Sequence, residues 1–114
     1  MESCIFCSII EGKIPCDKIY EDELVLVFKD INPEAPIHLL IIPKVHIGSI
    51  NELEEENIGL IGHIFMVSKK LSKELGIAES GYRVVTNCGR DGGQSVPHIH
   101  FHMLGGRSLN WPPG

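Results

Sequence analysis

The sequence predicts an α+β fold: a mostly antiparallel sheet of about five strands, with one long helix and one short one. Three patterns carry that prediction. Residues 24–30 (LVLVFKD) and 37–43 (IHLLIIP) have the composition of strands. Between Leu60 and Leu75 the apolar positions Leu60, Ile64, Val67, Leu71 and Leu75 recur at the spacing of one helix face. Residues 97–104 (PHIHFHML) alternate histidine with apolar side chains, as a two-faced strand does.

Taken in order, Ser3 reads as the N-cap of a short helix through Ile10, stopped at Gly12. A short strand is expected near Lys18–Tyr20. The 24–30 segment alternates and is rich in Val, and 37–43 is nearly all apolar, which marks it as central in the sheet. The two prolines of NPEAP make a tight connection between them. The helical stripe is expected over Asn51–Gly76, opened by the acidic NELEEEN and closed by Lys69, Lys70, Lys73 and Gly76, as the helix dipole favours. Ile58, Ile61 and Phe65 fall on a neighbouring face, so the helix is apolar on more than one side, wide enough to meet a second subunit. Residues 81–87 (GYRVVTN) and 97–104 supply the last two strands.

The chain has 114 residues, 43% hydrophobic and 22% charged, which fits one domain over 1–114. A net charge of −5 leaves no basic stripe to neutralise a nucleic-acid backbone, although a small phosphate ligand needs only a few donors. The start, MESCIFCSIIEGK, lacks the pattern of a signal peptide, and the apolar run IHLLIIP is far too short to span a membrane. A cytoplasmic protein with reduced or metal-bound cysteines is therefore expected.

Half of the six histidines lie at positions 98, 100 and 102. On a strand they share one face, neighbours ~7 Å apart, while Ile99, Phe101 and Met103 turn to the core. Such a row is incidental, or a metal site, or a site for chemistry at phosphorus, in which a neutral imidazole attacks and its neighbours hold the oxygens. Spacing alone leaves the last two open. The preceding NCGRDGGQSVP adds glycines at 92 and 93, whose amides can approach a ligand, and the neutral donors Gln94 and Ser95, with Asn87 close by. Uncharged donors beside imidazoles suit a phosphate ester. Cys4 and Cys7 stand one helical turn apart and can share an ion, with His46 and His98 as candidates for the other two ligands, although a lone Cys-x-x-Cys also fits a redox pair. Cys16 and Cys88 have no partner at metal spacing, and His63 reads as a surface or interface residue.

HIHFHML matches the His-x-His-x-His-x-x signature of the histidine triad superfamily. Together with DINPEAPIHLLIIPKVHI (30–47), GYRVVTNCGRDGGQSVPHIHFHMLGGR (81–107) and WPPG (111–114), the whole chain resembles its branch of nucleotide-binding purine nucleoside phosphoramidases. The resemblance implies that His100 is the nucleophile, forming a covalent nucleotidyl-imidazole. His102 then contacts the phosphate and leaving group, and His38 polarises the nucleophile's surroundings. It implies an α-phosphate site of Asn87, Gly93, Ser95 and the Val96 amide, with Asp30 on the ribose hydroxyls. Ile5, Phe6, Ile9, Phe28 and Ile31 would form a purine slot. Read without it, Asp30 is a turn residue and Phe6 and Phe28 are core. The resemblance also implies a structural zinc on Cys4, Cys7, His46 and His98, and a homodimer whose tail, 105–114, brings Trp111 near the partner's pocket. The substrate class is a purine nucleoside 5'-phosphoramidate, giving an AMP- or GMP-like product. Rival readings are a nucleotide-binding regulatory module with vestigial activity, and a dinucleoside polyphosphate hydrolase or nucleotidyl transferase. The chemistry requires the His100 nitrogen that attacks to be unprotonated, its other nitrogen donating to a fixed acceptor such as a backbone carbonyl, with His102 or Ser95 serving the amine.

Overall fold

The computed structural model describes residues 3–114. Helix α1 spans Ile5–Ile10 and is followed by strands β1 (Lys18–Glu21), β2 (Val25–Lys29) and β3 (Ile37–Pro43). Helix α2 (Ile58–Glu74), strand β4 (Tyr82–Thr86), the single turn α3 (Gly89–Gly92) and strand β5 (Phe101–Gly105) complete the chain. The strands form one antiparallel sheet in the order β1-β2-β3-β5-β4. The apolar 37–43 segment is indeed the central strand. After β3 the chain crosses through α2 to the far edge at β4, and β5 returns to fill the gap beside β3.

Each face of the sheet carries its own core, because alternate residues of one strand point opposite ways. On one face Leu39 and Ile41 of β3 and Phe101 and Met103 of β5 pack with Ile64, Val67 and Leu71 of α2. On the other, Leu26, Phe28, Leu40 and Ile42 pack with Phe6, Cys4 and Cys7 around α1. The helical stripe is therefore buried as its spacing requires, whereas Ile58 (70% exposed), Phe65 and Met66 (60% exposed) stay open to solvent. Among the described residues no helix is long and apolar enough to cross a membrane.

Several element boundaries move. The cap of α1 is Cys4, not Ser3: its backbone is extended and its Sγ accepts the Cys7 amide at 3.3 Å. Gly12 does end that helix, in a left-handed conformation (φ 81°) with its amide on the Ile9 carbonyl. The long helix begins at Ile58 rather than Asn51. Leu53 and Glu54 are extended, so 50–57 breaks into two 3₁₀ turns, and Glu54 and Asn57 form a capping box at the second. The glycine-rich stretch after Asn87 contains the one-turn α3, capped by Gly93 at φ 80°. The last strand begins at Phe101 rather than Pro97. Ahead of it the Ile99 amide leaves the β3 ladder for the Ile47 carbonyl at 2.6 Å, which bends the chain carrying His98 and His100 toward α1.

Candidate functional site

The three histidines still share a face. Ile99, Phe101 and Met103 are all in the α2-side core, and His98 and His100 are buried on the opposite side with His102 half-buried. They fall into two groups: His98 lies against the cysteines and His46, while His100 and His102 lie side by side.

His98 meets Cys4, Cys7 and His46. Cys4 Sγ lies 3.3 Å from His98 Nδ1, Cys7 Sγ 3.4 Å from His46 Nδ1 and 3.7 Å from His98 Nδ1, and the two Nδ1 atoms are 3.1 Å apart. All four atoms lie within 4.8 Å of one another. A tetrahedral zinc with Zn–S near 2.3 Å and Zn–N near 2.0 Å sets its ligand atoms roughly 3.3–3.8 Å apart, so Zn2+ fits this cage. The donor chemistry agrees. His98 Nε2 donates to the Pro43 carbonyl at 2.9 Å, which leaves its Nδ1 with a lone pair aimed at the cage. Burial holds His98 below its usual range, hence neutral, although the Pro43 contact opposes the shift. Burial and the adjacent Cys4 push the Cys7 thiol up, so two thiolates in this enclosure call for a cation. These residues would hold the ion and leave no ligand position open, so its contribution is to tie α1 to the sheet.

His100 lies at the edge of that cage. Its Nδ1 is 2.8 Å from the carbonyl oxygen of His98. A carbonyl only accepts, so in the neutral ring the proton sits on Nδ1 and Nε2 keeps a free lone pair. Phe6 closes one side of the ring edge-on, with centroids 5.1 Å apart. His102 follows, its ring centroid 5.2 Å from that of His100.

His38 faces His102 because of strand register: His38 pairs with Leu104 and Leu40 with His102, which makes the two histidines diagonal neighbours on one face. His38 Nε2 is 2.9 Å from His102 Nδ1 and 3.3 Å from Asp30 Oδ2. On its other side, the Glu34 amide donates to His38 Nδ1 at 3.0 Å. An amide can only donate, so the neutral His38 ring must carry its proton on Nε2. Given to His102 Nδ1, that hydrogen bond leaves His102 with its own proton on Nε2, a donor ready for a ligand. His102 is held below its usual range chiefly by burial, with His100 and His38 adding to the shift and Asp30 opposing it.

The remaining candidates divide. Asp30 Oδ1 accepts the Asn32 amide at 2.8 Å, the turn role read from sequence, while Oδ2 stands beside His38 and His102. Phe6 and Phe28 are core, in edge contact at 5.9 Å, whereas Ile5 and Ile31 (91% exposed) are open and Ile9 is half-buried. In the loop, Ser95 and Gly93 are exposed, and Asn87 and Val96 half-buried. Gln94 differs from expectation. Its Nε2 donates to the carbonyls of Gly48 and Val96 at 2.7 and 2.9 Å, and its Oε1 accepts the Gly89 amide at 3.0 Å. Both of its donor hydrogens are thus committed to holding the loop in place. Trp111 (79% exposed) lies on its own chain's Arg83, 5.9 Å from the guanidinium carbon. His63 is not idle on the surface: its Nε2 is 2.7 Å from Asp22 Oδ2, joining α2 to the β1–β2 turn. The carbonyl expected on the second His100 nitrogen is that of His98, which the sequence did not identify. The Glu34 amide and the Pro43 carbonyl that set His38 and His98 were missed, because every residue type supplies such groups alike.

A family described as scavenger mRNA decapping enzyme C-term binding matches residues 3–110. The chain is 54% identical over 112 residues to the 14 kDa zinc-binding protein of Zea mays, covering 96% of this chain and 87% of that one. It is 49% identical over 113 residues to an uncharacterized HIT-like protein of Synechococcus elongatus, covering 99% and 98%. Among solved structures, a HIT family hydrolase from Legionella pneumophila superposes with a TM-score of 0.97 at 49% identity, over 98% of this chain and all of that one (100%). A histidine triad protein from Clostridium difficile gives 0.94 at 45% identity, over 96% of each.

Proposed function

This chain belongs to the histidine triad family, and from that premise we propose that it hydrolyses purine nucleoside 5'-phosphoramidates through a nucleotide bonded to His100. The observation that carries the reading is the bond between His100 Nδ1 and the His98 carbonyl, which leaves Nε2 as the free nucleophile. In the proposed first step that lone pair attacks the α-phosphorus, the phosphorus–nitrogen bond breaks, and the departing amine takes the Nε2 proton of His102. The imidazolium formed at His100, still protonated on Nδ1, balances the charge left on His102. In the second, water attacks the nucleotidyl-imidazole, losing its proton to His102, and the nucleoside monophosphate leaves with His100 restored. Asn87, Gly93, Ser95 and the Val96 amide would hold the phosphate oxygens, on a loop braced by Gln94. Ser95 is a second candidate to serve the amine. Ile5, Ile9 and Ile31 would offer the apolar surface for the base, above the buried Phe6 and Phe28, and Asp30 the ribose contact. Zinc on Cys4, Cys7, His46 and His98 takes no part in either step.

We further propose that the protein works as a homodimer, with the open Ile58 and Met66 side of α2 covered by a second copy and Trp111 near the partner's pocket. The match to a decapping-enzyme family favours, as a second reading, cleavage of a phosphorus–oxygen anhydride in a dinucleoside polyphosphate by the same nucleophile.

The test is turnover of an adenosine 5'-phosphoramidate and of a dinucleoside polyphosphate by the parent and by His100→Ala, with acid quenching to trap the adduct. The parent is expected to release amine at least ~10³-fold faster than the variant, since removing a nucleophile costs on that order or more. Its trapped nucleotide should map to His100. Equal rates in the two proteins, or an adduct elsewhere, defeat the reading, and faster anhydride cleavage selects the second one.

A further inference from the structure

We propose that Arg107 is a positioning residue for the catalytic histidines, acting through Glu34 to hold His38 in the tautomer that donates to His102; this rests on the reading of His102 as proton donor. Arg107 lies just past the end of β5, outside the histidine cluster. Its Nε and Nη2 both donate to the Glu34 carbonyl, at 3.2 and 2.8 Å, and its Nη1 donates to the Ser108 carbonyl at 2.9 Å. The turn before it is pressed against the same loop. Gly106 has φ 90°, and a Cβ there would lie 2.9 Å from Pro36 Cβ. The strand that carries His102 thus grips, by its exit turn, the loop that serves His38.

Glu34 needs that grip. Pro33 and Pro36 on either side of it have no amide hydrogen and cannot tie the loop down. The Glu34 carbonyl is held by a guanidinium fork, whose geometry sets two donors on one oxygen. The amide of the same residue reaches His38 Nδ1 at 3.0 Å.

Loss of the fork frees Glu34 to swing. His38 Nδ1 then no longer faces an obligatory donor and can carry the proton. In that tautomer His38 Nε2 accepts, His102 donates to it from Nδ1, and His102 Nε2 is left as a lone pair. The direction of the whole chain reverses, and His102 has no proton to give. Asp30 Oδ2, 3.3 Å from His38 Nε2, still favours the original tautomer. The effect of losing Arg107 is therefore partial, and it falls on the proton step rather than on substrate binding.

The experiment compares the parent with Arg107→Ala and Arg107→Lys by two measurements: imidazole 15N NMR and steady-state turnover of an adenosine 5'-phosphoramidate. In the parent, His38 should give one tautomer, with Nε2 protonated. In Arg107→Ala its two nitrogens should move toward averaged values, and kcat should fall about tenfold with KM unchanged, since small displacements of reacting groups are costly. Arg107→Lys, which restores one donor, should recover part of both. A single unchanged tautomer in Arg107→Ala overturns the proposal, as does a loss of kcat/KM that lies in KM. If Arg107→Ala does not fold, Arg107→Gln is read by the same measurements. If the parent fails to cleave the substrate, the functional reading falls, and the NMR result still decides the role of Arg107.

Discussion

His102 is held below its usual range by burial first, and by His100 and His38 after that. A histidine in an unfolded chain titrates near 6.5. Between that value and the lower folded one, the unfolded state binds more protons, so stability is full above pH ~6.5 and declines as pH falls below it. The urea midpoint should therefore drop between pH 7.5 and 5.5. His98, also lowered by burial, contributes in the same direction, so His102→Asn should weaken that dependence without abolishing it. A variant as acid-sensitive as the parent would place the titration elsewhere. On the other face of the same strand, Met103 has no exposed surface and packs against α2. Met103→Ala should cost about 2–5 kcal/mol, measured by denaturant unfolding, through lost burial and the cavity left behind.

The element that depends most on a partner is α1. It has six residues, no acidic side chain in its first turn and no basic one in its last, so it has little helical stability of its own. Its cap is the sulfur of Cys4, and Cys7 sits on its inner face, so the zinc cage holds both ends of its first turn. Purified protein should contain about one zinc per chain, and Cys4→Ser should lose it. Chelation should lower the Tm and strip hydrogen-exchange protection from α1 before β3. Under the proposed function turnover should fall with it, because the carbonyl of His98, a member of the cage, sets His100, and Phe6 of α1 closes one flank of that ring. Zinc-free protein with α1 fully protected would show that the metal is not what holds this helix.

Across the whole molecule the sheet separates two tasks. The α2 face is an apolar core, while the α1 face holds the cluster of Cys4, Cys7, His46 and His98 and the imidazoles. This division lets the site stand on strands whose other side is rigidly packed, which suits groups that must be held to a fraction of an ångström. The open Ile58 and Met66 on the outer side of α2 are the surface on which a second copy is expected. Sedimentation should give a dimer for the parent, and Met66→Glu should shift it toward monomer; a monomeric parent would remove the dimer from the functional reading.

Composition marked the strands at 24–30 and 37–43, and periodicity determined the inward stripe of α2 and the common face of the three histidines, since a side chain's direction follows from its place in a repeat. The residue types and spacing also marked Cys4, Cys7, His46 and His98 as one possible set of ligands. Where β5 starts, where α2 starts and which atom of each imidazole carries its proton were decided only by the fold. Those outcomes depend on backbone amides and carbonyls, from Glu34, Pro43, Ile47 and His98, that come from distant parts of the chain. Every residue but proline carries both groups, so the sequence holds no mark of which one will meet which ring.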